Sequence, residues 1–249
     1  MSYIELAELV YGFRLNIGSG GRPFKGWINL DYPNEHFQKV QSTYQFIPYD
    51  IRNDIIPFND NSVDAVYCSH VIEHIENNYV QKMLDEFFRV LKKGNVLRLV
   101  CPDAEFLYEV SKHPSDFWEW RYESIKNDLS GLKTIQQADL RPVDYLVNEV
   151  AAEKLFLFDN EHRMDYYQQF QLLDMDDFFE FLTGDLQYTD GFFHINYFTF
   201  KKLETMLHNS GFENIIRSKY GACSSNIMRD PLVFDTSGSA LSLYVDAIK

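Results

Sequence analysis

The chain has 249 residues and a formal net charge of −14, long enough for one large α/β domain or a core domain with an insertion. No basic patch interrupts that acidity, which argues against duplex nucleic acid or an anionic membrane as partner and leaves a neutral or cationic small ligand, or plain solubility, as its meaning. Three scattered cysteines without CxxC or Cys/His spacing read as a reducing, cytoplasmic compartment, the first residues do not read as a secretory leader, and no apolar run of about 18 residues is present to cross a bilayer.

In chain order, residues 2–11 have the spacing of a short amphipathic helix. Residues 13–17 read as a buried strand closed by Gly18-Ser19-Gly20-Gly21. A second strand is expected over 27–30, with Asp31 at its end, and a third over 44–49, ending at Asp50. Residues 63–68 form an apolar run typical of a central parallel strand buried on both faces. From 77 onward Val80, Met83, Leu84, Phe87, Phe88 and Leu91 recur at helical spacing. Lys92 and Lys93 suit the last turn of that helix and Gly94 its stop. "NVLRLVCPD" is the next strand. Strand, helix, strand in this rhythm implies βαβ units and a parallel sheet.

Residues 104–192 break the rhythm: they are aromatic, acidic and helical in pattern, and read as an insertion within a single domain spanning 1–249. The sheet then resumes. A helix is expected over 199–212, with Phe200, Leu203, Met206 and Leu207 on one face and Gly211 as stop, followed by strands at "NIIRSKY" and "ALSLYVDAI".

In an open α/β sheet, ligands sit beyond the carboxyl ends of the strands, near the switch in strand order. Gly18 to Gly21, Asp31, Asp50, Ser69, His70 and Asp103 all fall at such ends. Glycines let backbone approach a ligand closely, and an acid after the second strand is placed to grip ribose hydroxyls. The pattern points to an adenosine-containing ligand. A dinucleotide fits poorly, because Pro23 stands where GxGxxG needs its third glycine and the interval from Gly18 to Asp31 is shorter than the fingerprint's span of about 20 residues.

The stretches "LNIGSG", "GWINLD", "YDIRNDIIPFNDNSVDAVYCSHVIEHI" and "FFRVLKKGNVLRLVCPD" together resemble the class I S-adenosylmethionine-dependent methyltransferases, in particular the small-molecule, type 11-like branch. The resemblance covers residues 14–103 well and resumes loosely at 194–248. It implies a Rossmann-like sheet, mostly parallel with an antiparallel last strand, and S-adenosylmethionine as cofactor. It further implies that Gly18 and Gly20, with Ser19 between them, pass against the methionine end. Asp31 would hold the ribose, Asp50 and Ile51 would lie near the adenine, and Ser69 and His70 would flank the sulfonium. Asn16 stands where an acid is common in the family, which leaves the methionine amino group one carboxylate short. Relatives bearing "GWINLD" hint at sugar substrates.

The expected activity is methyl transfer to a small acceptor, above all a sugar or glycan-related hydroxyl, with N-methylation of a small amine as the rival. A non-catalytic binding protein of nucleotide fold is the alternative from another class, and the oligomeric state is left open. His70 or Asp103 would take the acceptor proton, although Asp103 would equally cap the helix that follows it. His74, His162, Arg163 and His194 are candidate acceptor contacts. Trp118, Trp120, Tyr166 and Tyr167 could stack on a sugar, although most aromatics at helical spacing are core. "HVIEH" superficially resembles a zinc motif, but the order is not HExxH and no third ligand is evident, so no metal is expected.

Overall fold

Short apolar runs between turns give the strands of this chain, and longer runs of helical period give the covering helices. A computed structural model describes residues 12–33, 35, 37–113, 116–125, 140–157, 160–189 and 193–249. The helix expected over 2–11 lies outside them. Two compact units emerge, one of Met1–Ile72, Asn77–Cys101 and Phe200–Lys249, the other of Glu73–Glu76 and Pro102–Thr199.

Among the described residues the first unit carries seven strands: β1 Phe13–Ile17, β2 Ile28–Asp31, β3 Phe46–Pro48, β4 Val63–Ser69, β5 Leu91–Pro102, β6 Asn214–Arg217 and β7 Ser242–Ile248. Their order in the sheet is β3-β2-β1-β4-β5-β7-β6. β3, β2, β1, β4 and β5 pair in parallel, and β6 pairs antiparallel with β7. The sheet is thus mostly parallel with one antiparallel strand. The order reverses between β1 and β4, so the segments leaving those two strands, Gly18 onward and His70 onward, flank the switch point. β4 is buried along its length except at Asp64 and Ser69, as a strand covered on both faces must be.

Among the described residues a short helix, α1 (Gln38–Gln41), precedes β3. The helix α2 (Asn77–Val90) buries Val80, Met83, Leu84, Phe87 and Val90. It ends four residues before Gly94. The Asn61 and Ser62 N–H groups donate to Arg89 O and Val90 O at 3.0 and 2.9 Å, and Leu91 already sits opposite Val63 in the sheet. Tertiary hydrogen bonding therefore overrides the local stop signal. Lys92 and Lys93 belong to a bulged start of β5 rather than to a helix end, and Lys92 pairs with Asp64 at 2.8 Å. Gly94 serves that bulge with φ +83°. Gly211, at φ +107°, does end its helix.

The second unit holds α3 Ala104–Ser111, α4 Asp116–Ile125, α5 Pro142–Leu157, α6 Asn160–Leu172 and α7 Met175–Thr183. α5 is kinked at Ala151. Asp144 is its buried polar centre, accepting from Tyr166 Oη at 2.5 Å, Tyr167 Oη at 2.6 Å and Arg141 N at 2.7 Å. Trp118 stacks on Tyr145 with 5.2 Å between ring centroids. The last helix, α8 (Phe200–Ser210), returns to the first unit and buries Leu203, Met206 and Leu207.

Candidate functional site

The turn after β1 is built by its neighbours. Gly18 takes φ +65°, and a Cβ there would stand 2.2 Å from Val71 Cγ2. This glycine is demanded by packing and backbone conformation together. Gly20 has φ +48° and nothing nearer than the Phe37 ring at 3.8 Å from a virtual Cβ, so conformation alone requires it. Asn16 supports the turn from β1: its amide nitrogen donates to Asn29 Oδ1 at 2.9 Å and Arg22 O at 3.2 Å. Asn29 in turn accepts from Phe24 N at 2.8 Å. Asn16 thus braces the loop, a role the sequence pattern did not announce.

Asp31 is the last residue of β2, and its carboxylate accepts from Gly20 N at 2.5 Å and Tyr32 N at 2.8 Å. Burial pushes its carboxyl above the ordinary value, and those two N–H groups oppose the rise. Ser19 is 5% exposed, and its Oγ has no hydrogen-bond partner among the described residues. A buried hydroxyl without a partner is costly and fits a turn shaped to meet a polar ligand.

Asp50 follows β3 and organises its own loop. It accepts from Arg52 N at 3.0 Å, Arg52 Nε at 3.2 Å and Asn53 Nδ2 at 2.8 Å, which together outweigh burial and hold its carboxyl low. Ile51 lines a cavity of about 310 Å³ with Tyr49, Arg52, Met83 and Glu86. Ser69 ends β4 opposite Val100. His70 follows in the left-handed region at φ +54°, its N–H donating to Val100 O at 2.8 Å and its Nε2 lying 3.0 Å from Ser242 Oγ. An L-residue held in that conformation is strained and has to be held there by its surroundings.

A buried ion network in the same unit was missed by sequence reasoning. Arg98 of β5 is fully buried and pairs with Asp235 Oδ2 at 2.5 Å and Asp246 Oδ1 at 2.9 Å. Tyr67 Oη accepts from Asp235 N at 2.8 Å. Near it, Arg22 of the glycine turn donates to Thr236 Oγ1 at 2.9 Å and to Ser237 Oγ.

In the second unit Asp103 N-caps α3, accepting from Phe106 N at 3.1 Å. His74 and His194 come together with Glu73, their rings edge-on with centroids 4.7 Å apart. His162 and Arg163 lie on α6, and their side chains are outside the described residues. Trp118, Tyr166 and Tyr167 are core, while Trp120 is 49% exposed.

The family model described as "Methyltransferase domain" matches residues 28–99. No curated protein matches the chain. Among solved structures, a SAM-dependent methyltransferase from Archaeoglobus fulgidus is similar at 12% identity, covering 99% of this chain and 90% of that one, with a TM-score of 0.47. A possible histamine N-methyltransferase from Thermotoga maritima is similar at 14% identity, with coverage of 99% and 87% and a TM-score of 0.46. A third, from Mesorhizobium loti, has 13% identity, coverage of 96% and 91%, and a TM-score of 0.47. The residues present suit the cofactor on their own account: Ser19 offers an unpartnered buried hydroxyl, and Asp31 a desolvated carboxylate at a strand end beside the switch point. The family match runs from β2 into β5, so residues 28–99 are similar to a methyltransferase domain, and these two groups suit an adenosine-containing cofactor such as S-adenosylmethionine.

Proposed function

We propose that the protein methylates a hydroxyl of a small acceptor, a sugar or glycan-related molecule, in the cytoplasm and without nucleic acid or membrane as partner. Asn16, Gly18, Ser19, Gly20, Asp31, Asp50, Ile51 and Ser69 form the cofactor side. Bound there, S-adenosylmethionine supplies an electrophilic methyl group on a positively charged sulfur. Residues 104–192, with His74, His162, Arg163 and His194, are the acceptor side in this reading, as an insertion within a single domain.

The observation that carries an oxygen acceptor is His70, strained at φ +54° beside the switch point with its ring oriented by Ser242 Oγ. An attacking hydroxyl must lose its proton, and an imidazole titrates near neutrality. Asp103 is the second candidate base. An amine that arrives neutral needs no base, and it is the second reading.

The test is turnover with a panel of sugars, sugar nucleotides and small amines, read by formation of S-adenosylhomocysteine. His70→Ala should lower kcat by about 10²–10⁴-fold, the usual share of general-base catalysis, with cofactor affinity unchanged. Asp103→Asn retains an acceptor for the helix cap and removes the base, so a loss of turnover in that variant would transfer the role to Asp103. Methylated amines as sole products, with His70→Ala as active as the parent, would replace the hydroxyl reading by the amine one.

A further inference from the structure

The sequence offers a Glu and a His side by side in "HVIEH" and no third metal ligand. The fold supplies one from 120 residues downstream. Glu73 and His74 lie on the 3₁₀ turn Ile72–His74, and His194 lies on the segment leading to α8. One donor atom of each lies within 4.8 Å of those of the other two. Backbone hydrogen bonds stitch the two segments together. Ile195 N and Asn196 N both donate to Glu73 O, at 2.8 and 3.1 Å, and Asn196 Nδ2 donates to Ile75 O at 2.8 Å.

The imidazoles are also set in one tautomer. His74 Nδ1 is 3.0 Å from Phe193 O, and His194 Nδ1 is bonded to Glu149 O. A carbonyl oxygen only accepts, so each Nδ1 carries the proton and donates. Each neutral ring then keeps its lone pair on Nε2. This second contact, a ring N–H donated to a backbone carbonyl, is the one that orients metal-ligating histidines and raises their basicity. Glu73 is 1% exposed, and a carboxylate so far from water favours a cation beside it.

We propose that Glu73, His74 and His194 form a binding site for a divalent first-row transition ion, zinc by the donor set. Two imidazoles and one carboxylate are the three protein ligands of catalytic zinc centres, which leave a fourth position for water or another oxygen donor. Tetrahedral donors at about 2.1 Å from one ion stand about 3.4 Å apart, so donor atoms within 4.8 Å of one another close on an ion by shortening each separation by up to about 1.4 Å. Formation of this site depends on neither the hydroxyl nor the amine reading of the acceptor.

The experiment uses the full chain without a polyhistidine tag, stripped with chelator and then titrated with Zn²⁺ against a competing indicator. Co²⁺ is titrated in parallel and read by its visible spectrum. The expected result is one ion per chain and Co²⁺ bands of a nitrogen and oxygen ligand set, without thiolate charge transfer. His194→Gln and Glu73→Gln should weaken Zn²⁺ binding more than about a hundredfold, beyond the 10–100-fold that outer-shell partners cost. His208→Gln should leave it unchanged. Circular dichroism establishes that each variant is folded, and S-adenosylmethionine binding should survive in all of them. Absence of stoichiometric ion uptake, thiolate bands in the Co²⁺ spectrum, or parental affinity in His194→Gln would each overturn the proposal.

Discussion

Removing the Asp31 carboxylate is the sharpest perturbation of the proposed cofactor side. The group now holds Gly20 N–H at 2.5 Å and Tyr32 N–H at 2.8 Å, and a ribose diol would add two O–H donors to it. Hydrogen bonds to a charged group contribute about 1.5–3 kcal/mol each. Losing two therefore costs about 3–6 kcal/mol, or at least about a hundredfold in Kd. Asp31→Ala should show this by calorimetric titration with S-adenosylmethionine and S-adenosylhomocysteine. Asp31→Asn retains an oxygen for Gly20 N–H and separates loss of charge from loss of the turn's anchor. The effect has a pH signature. Burial raises the folded carboxyl above its ordinary 3.8. Its contribution to stability is thus present below 3.8 and lost as pH rises through the raised value, because folding favours the protonated form. Ribose hydroxyls favour the anion and reverse that preference. Cofactor affinity should then fall as pH drops through the raised value, and the fall should vanish in Asp31→Asn. Unchanged affinity in Asp31→Ala, or the same pH profile in parent and Asp31→Asn, would remove Asp31 from the site.

Gly18→Ala should destabilise the fold by about 2–5 kcal/mol in urea denaturation, from the left-handed backbone and from a Cβ 2.2 Å from Val71 Cγ2. Adding Val71→Ala should recover only the steric part, and full recovery would show that the conformation has no cost. Arg98→Met leaves Asp235 and Asp246 buried without their cation and should cost about 3–5 kcal/mol; a loss below about 1 kcal/mol would show that water reaches the pair. Cys223 is buried, and burial beside Asp246 pushes its thiol up to about 12, so it should react with a thiol reagent only on unfolding; rapid labelling of the native protein at neutral pH would contradict that environment.

What could be read along the chain and what could not divide by sequence distance. The first glycine turn, the end of β2 and Asp31 lie within 18 residues, and turn chemistry and apolar period act over such lengths. The carboxylate therefore stands where the pattern put it, at the strand end. Where a local rule met a tertiary bond, the rule failed. Gly94 is a sound helix stop by itself, yet hydrogen bonds from Asn61 and Ser62 close α2 at Val90. Arg98 stands inside the strand "NVLRLVCPD" without a local partner to explain it, and its meaning lies in Asp235 and Asp246, more than 130 residues away. Asn16 looked like a substitution for an acid, and its amide is committed to Asn29 and Arg22. The same limit governs the cluster of Glu73, His74 and His194. His74 finds Phe193 and His194 across 119 and 120 residues, and no periodicity connects such positions. A cofactor shared across a family is gripped by short local motifs, whereas an acceptor is met by side chains that only the finished fold assembles. The sequence of this chain therefore points to a cofactor far more readily than to an acceptor.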